Sequence, residues 1–306
     1  MKFIASVGVW LALVQIVWAC PMCDSGGPAD YVRYGDGEKE VSPDGSSKVA
    51  VYRKLKQWSL SLDARTVGAS EGPNDEDKHR QSQLGFTAAF RPNHQIIFFA
   101  RMPFSSTSLI EANGHEFVNS GIGDAELLGT YEFITKSAWR PALTLGMKMP
   151  SGENDVQSED SDAAFTRLEE HGQIGTGAWD GMIMAHLRKA GTYWVSSTLG
   201  YRVNGENDYG YRYGSVTWFD LSMTRSVSRN LSAGLGSRLR MAEKNKDAGE
   251  SESDSGGTMF LLVPEIGYAR GGDFNFSARC TLPVINQLNG KQSETPGLTV
   301  ALTHSF

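Results

Sequence analysis

The stretch Gln57-Trp58-Ser59-Leu60-Ser61-Leu62-Asp63-Ala64-Arg65-Thr66 alternates without a break. Trp58, Leu60, Leu62 and Ala64 share one parity; Gln57, Ser59, Ser61, Asp63 and Arg65 share the other. Successive side chains of a strand point to opposite faces, so this segment reads as a strand with one greasy and one polar face. Its length, about ten residues, is what a tilted strand needs to cross a bilayer.

The same grammar recurs at residues 84–90, 96–102, 125–133, 143–149, 179–187, 193–201, 217–223, 231–241, 260–268, 274–282 and 298–306. With the first segment, that makes about twelve strands. Their connections alternate in length. Residues 91–94, 135–137, 189–191, 227–229 and 270–272 are tight turns. Residues 68–80, 105–121, 151–177, 204–213, 242–257 and 286–295 are long and polar. A soluble sandwich with one wet face accounts for the alternation but has no reason to alternate short and long connections. A membrane barrel does, with short periplasmic turns and long outer loops. The expectation is an all-β chain, a single antiparallel transmembrane β-barrel of about twelve strands over residues 56–306. The even strand number places both termini in the periplasm.

The two faces support this. Apolar and aromatic parity would meet lipid, with Trp58, Phe90, Trp139, Trp179, Tyr193, Tyr201 and Tyr268 near strand ends as interfacial anchors. Cys280 shares the apolar parity of its segment. The opposite parity carries Asp63, Glu132, Arg140, Asp180, Asp220 and Glu265. It also carries the pore-lining candidates Arg65, Arg101, Lys148, His186, Arg188, Arg202, Arg238, Arg240 and Arg279. Charges at alternate strand positions are costly in a dry core and cheap in a wet lumen. These basic residues could form a ladder guiding anions; equally, they could belong to a charge network that braces the wall.

Outside the barrel, residues 1–19 have the form of a signal peptide: Lys2, then an apolar run from Phe3 to Trp18, then the small residues Val17 and Ala19 around a cleavage site. Cys20 also sits where a lipidated cysteine would. Residues 20–55 read as a periplasmic tail or partial plug. Cys20-Pro21-Met22-Cys23 is a vicinal pair suited to a disulfide in an oxidising compartment, or to Cu(I) or Zn(II). Asp24 replaces the histidine that c-type haem attachment needs. No cofactor is expected. The net charge of −6 argues against a nucleic-acid binder. Acidic residues crowd two long connections (Glu153, Asp155, Glu159, Asp160, Asp162, Glu169 and Glu170; then Glu243, Asp247, Glu250, Glu252 and Asp254). Without calcium-loop spacing they read as solvated surface, able to bias a mouth toward cations.

The last segment places apolar or ring-bearing residues at every second position, through Leu302 and His304 to Phe306. This resembles the C-terminal insertion signal read by the barrel-assembly machinery, with His304 where tyrosine is usual. Three further segments carry a family resemblance: Gly121-Ile122-Gly123-Asp124, the run Leu143 through Lys148 to Gly152, and Gly175-Thr176-Gly177-Ala178-Trp179-Asp180. Together they resemble the outer-membrane channel family named after the meta-pathway of phenol degradation. The resemblance covers roughly residues 58–306. It implies a β-barrel pore, often associated with small hydrophobic or aromatic compounds. Read bare, Gly121, Gly123, Gly175 and Gly177 permit tight bends between loop and strand.

Passive passage of small solutes is the expected function, with outer-membrane lipid, the assembly machinery and a small-molecule solute as partners. A structural or partner-binding barrel is the first alternative. A lipid hydrolase is the second, and it would need a histidine base reaching a serine. His79, His115 and His171 fall in loops, His94 in a turn and His304 near the periplasmic rim, while His186 faces the lumen. None makes that pairing, so no enzyme is expected.

Overall fold

The computed structural model describes residues 57–306 except 72–76, 111–115, 136, 159–165, 190, 271–272 and 291. The expected signal peptide (1–19), the tail (20–55), Cys20 and Cys23 lie outside the described residues, as do His115, Glu159, Asp160 and Asp162.

Twelve long strands follow in chain order: β1 (Trp58–Glu71), β2 (Asp77–Phe90), β3 (Ile96–Ile110), β4 (Ala125–Glu132), β5 (Trp139–Met149), β6 (Asp180–Lys189), β7 (Tyr193–Asn204), β8 (Val216–Ser226), β9 (Leu231–Ala242), β10 (Gly257–Arg270), β11 (Phe274–Leu288) and β12 (Gly297–Ser305). Each pairs antiparallel with the next. β1 also pairs with β12, setting Trp58 opposite Phe90 on one side and Ser59 opposite Ser305 on the other. Reciprocal backbone bonds between Trp58 and Phe306, at 3.3 and 3.0 Å, finish the seam. The expected closed, antiparallel, twelve-strand barrel is what forms. Closure is the physical requirement, because an unpaired backbone group in hydrocarbon costs several kcal/mol.

The outward face is apolar along every strand. Phe98, Met102 and Phe104 on β3 are about half exposed, as are Leu199 on β7 and Leu235 on β9. In water such a continuous belt would aggregate; against acyl chains it is satisfied. Cys280 sits on this outward parity of β11 as a free thiol.

Two departures from the sequence reading have one cause. Residues 68–80 and 105–121, expected as loops, are mostly strand. β1 and β2 stay paired to Glu71 and Asp77, and β3 pairs with a short strand, Glu116–Ile122. Beyond the lipid the outward face of a strand can be polar as well as the inward one. Ser82, Gln83, Ser105, Ser106 and Thr107 therefore hide the alternation on which recognition of a strand depends.

The short strand Glu116–Ile122 and β4 are two halves of one strand broken by a bulge. Phe104 faces Ile122, but Arg101 faces Glu126, so one extra residue is inserted between them. Pro103 stands opposite and has no amide to donate; its carbonyl accepts from Gly123 N at 2.8 Å. The bulge flips the parity. Phe117, Asn119 and Gly121 point inward before it, and Glu126, Leu128 and Thr130 after it.

Candidate pore lining and mouth

All nine basic or histidine candidates lie on inward strand parity, but the structure gathers most of them into pairs rather than a free ladder. Arg101 meets Asp63 at 3.1 Å, Arg202 meets Glu126 at 3.3 Å, and Arg238 grips Asp220 with two bonds of 2.6 and 2.9 Å. Arg240 faces Glu294 at 3.6 Å and Arg279 faces Glu265 at 3.8 Å. Glu132 is shared by Arg188 and Arg91. Arg65 lies opposite Thr299, at the level of the Arg279 pair. Most of these side chains are nearly inaccessible to solvent, a setting in which leaving one partner unpaired is far costlier than the pair is stabilising. Of the two readings of the basic residues, this arrangement matches the bracing network.

His186 is held by two threonines. Thr144 Oγ1 and Thr198 Oγ1 sit 2.9 Å from Nε2 and Nδ1 respectively, and Thr144 also bonds Thr130 at 2.7 Å. Both ring nitrogens are engaged by neighbouring wall residues, so neither is presented to a serine.

Beside this polar row runs an apolar one that the sequence reading did not single out. Ile97, Phe99, Leu128, Met182, Met184 and Trp218 form one buried cluster facing inward. Ile97 is the second residue of β3 from a short turn, whereas Trp218 is the third residue of β8 from a long connection. The cluster therefore climbs the wall obliquely from one end of the barrel to the other, because pairing rows rise as strands tilt. Gly200 makes room for it: a Cβ there would stand 2.2 Å from the Trp218 ring. Parity alone places Met182 and Met184 beside Asp180 and His186, a signal present in the sequence.

The three family-like segments converge at one point. The bulge turns Asp124 inward, where its carboxylate accepts from Lys148 Nζ at 2.9 Å, Gly152 N at 3.0 Å, and Thr176 N and Oγ1 at 2.9 and 2.8 Å. Lys148 also meets Asp180 at 2.8 Å. A Cβ on Gly175 would come 2.4 Å from Gly152 O, and one on Gly152 would come 3.0 Å from the Gly123 carbonyl carbon. Gly152 and Gly175 allow backbones to touch, which is a stronger constraint than a bend. Gly177, at φ +70°, does make the bend expected of it. Asp124 and Glu126 were missed as inward residues. The clue was the switch in apolar parity from Val118 and Ile122 to Leu127 and Tyr131.

From this knot the β5–β6 connection enters the mouth. Arg167 binds Glu170 with bonds of 2.6 and 3.1 Å, and its guanidinium stacks 3.8 Å over the Tyr209 ring. Asn207 Nδ2 reaches Glu170 Oε2 at 3.3 Å, and Tyr213 OH donates to the Glu170 carbonyl at 3.0 Å; both partners lie between β7 and β8. One residue on, His171 packs against His79 of β2 with ring centroids 5.9 Å apart, and Gly172 O accepts from Asn119 at 3.1 Å. Burial lowers the His171 pKa to about 4. The later connections interlock alongside: Asn245 Nδ2 and the Tyr211 hydroxyl bond at 2.8 Å, and Tyr211 OH donates to Glu252 at 2.9 Å. Burial and Glu252 hold the Tyr211 phenol well above its ordinary range.

Leu302, His304 and Phe306 point outward at the end of the chain, His304 and Phe306 with ring centroids 5.7 Å apart.

An outer-membrane channel from Pseudomonas putida F1 has a similar structure, with a TM-score of 0.63 at 9% identity over 85% of this chain and 100% of that one. The fold is that of an outer-membrane β-barrel. Two autotransporter barrels are also similar. The β-domain of the Bordetella autotransporter Brka gives a TM-score of 0.52 at 8% identity, over 82% of this chain and 100% of that one. The translocator domain of autotransporter NalP from Neisseria meningitidis gives 0.51 at 12% identity, over 84% and 91%. At such identities the likeness is one of fold. No family model matches the sequence, and no curated protein matches it.

Proposed function

We propose that this barrel is a pore of the outer membrane for passive passage of small solutes, related to the meta-pathway channel family. The observation that carries this reading is the division of one closed wall into an apolar outside and a charged inside. The outside requires lipid, and the inside is suited to contact with a traversing solute. The similar fold of the Pseudomonas putida channel supports it. Short turns face the periplasm together with both termini, and the terminal alternation through Phe306 engages the barrel-assembly machinery.

For the solute, the oblique apolar row favours a small hydrophobic or aromatic compound. The pairing of most of the arginines works against anion guidance, since a carboxylate beside a guanidinium cancels much of its field over a few ångströms. The test is planar-bilayer conductance with ion-selectivity measurement on the refolded protein, followed by a panel of apolar, aromatic and anionic solutes in liposome uptake. Uptake of aromatic compounds with little ion preference is expected. A barrel that passes neither ions nor any solute would remove the pore reading and leave a structural or partner-binding role.

A further inference from the structure

Three consecutive residues of the β5–β6 connection touch elements on both sides of it. Glu170 binds Asn207 and Tyr213 between β7 and β8, while His171 packs on His79 of β2 and Gly172 binds Asn119 before β4. The β7–β8 connection begins at β7, the neighbour of β6, and the strand carrying Asn119 runs into β4, the neighbour of β5, but β2 lies three strands from β5 in the closed ring. A connection following the rim from β5 to β6 can meet those neighbours but not His79 on β2. The His79 contact therefore sets the segment inward over the lumen, and Glu170, Gln173 and Ile174 are accordingly buried within the mouth.

We propose that residues 167–176 are a strap that closes the mouth, hinged on Asp124 and latched to Asn207 and Tyr213, and that its release admits the solute. This rests on the pore reading and adds the step that controls entry. The two ends are not held alike. The hinge is a buried carboxylate accepting from a lysine, a hydroxyl and two amides, with glycine backbones in contact beneath it. Charge-assisted bonds of this kind are the strong ones. The latch consists of two bonds from Asn207 Nδ2, 3.3 Å to Glu170 Oε2 and 3.1 Å to Thr176 O, and one phenol–carbonyl bond from Tyr213. With fewer and longer contacts, the latch opens first while the hinge stays.

The variant Asn207→Asp/Tyr213→Phe tests this. Aspartate keeps the side-chain oxygen that accepts from Tyr209 N and Tyr211 N, so the local loop survives, but it sets a second carboxylate against Glu170. Two quantities are read on barrels whose folding is verified by heat-modifiable gel mobility: hydrogen exchange at the Gly172 and Gln173 amides, which lie in the strap beyond the hinge, and single-channel conductance. Exchange at least tenfold faster, with β6 amides unchanged and conductance several-fold higher, is expected. Unchanged exchange overturns the strap whatever the current. Faster exchange with an unchanged, nonzero current overturns gating but leaves the pore. Faster exchange with no current in either protein removes the pore reading and the gate with it. Tyr213→Phe alone, expected to give about a threefold change in exchange, serves if the double variant does not fold.

Discussion

Asp124 Oδ2 lies 2.9 Å from Lys148 Nζ, both side chains less than a tenth exposed, and the bond joins a bulge before β4 to the last turn of charge on β5. The same carboxylate holds the backbone of Gly152 and Thr176, so one side chain organises both ends of the longest connection. Asp124→Ala should therefore cost roughly 3 kcal/mol: Lys148 keeps Asp180, but two backbone amides and a hydroxyl lose their acceptor, each at about 1–3 kcal/mol where buried. Urea unfolding in detergent micelles measures it. Asp124→Asn, which keeps shape and some acceptance, should cost less than half as much. Equal losses for the two variants would mean that the charge contributes nothing.

Arg238 and Asp220 pair in two-pronged fashion across β8 and β9. Asp220→Ala leaves a buried guanidinium uncompensated, so stability should fall by about 3–5 kcal/mol. Asp220→Leu combined with Arg238→Met should recover most of that, and the double-mutant cycle gives the coupling. If the barrel conducts, Asp220→Ala should also shift selectivity toward anions, measured as reversal potential in a salt gradient. A shift toward cations would reverse the assigned role.

Gly200 leaves space for Trp218, whose ring occupies the position of a Cβ. Gly200→Ala should force the indole out of the apolar row at a cost of about 1–3 kcal/mol, the range for overpacking. Near-ultraviolet circular dichroism should lose intensity. Combining Gly200→Ala with Trp218→Leu should restore stability. A barrel unmoved by Gly200→Ala would place the ring elsewhere.

Acid should loosen the strap. His171 has a pKa of about 4 when docked, lowered by burial, against about 6.5 when released. The docked form thus prefers the neutral ring. Docking stability is complete above about pH 6.5 and declines as the pH falls toward 4, by roughly 2 kcal/mol at pH 5. The titratable group that His171 meets across the mouth is His79 of β2. Hydrogen exchange at Gln173, corrected for intrinsic rates, should accelerate between pH 7 and 5 in the native protein and much less in His171→Gln. An identical acceleration in both would assign the effect to another group.

Much of this molecule was legible before any coordinates. Trp58, Leu60 and Leu62 against Ser59, Ser61 and Asp63 fix a two-faced strand because side chains alternate with period two whatever the neighbours are. Repeated with short and long connections in turn, that pattern leaves a closed membrane barrel as its consistent solution. The inward parity of Arg101, Lys148, Arg202 and Arg238 followed from the same rule. What the rule could not reach was any relation between strands. That Arg238 answers Asp220, that Ile97 and Trp218 belong to one oblique row, and that Glu170 crosses to Asn207 depend on register, tilt and the path of a connection through space. Local periodicity sets which face a residue occupies; its partner is set by closing the ring.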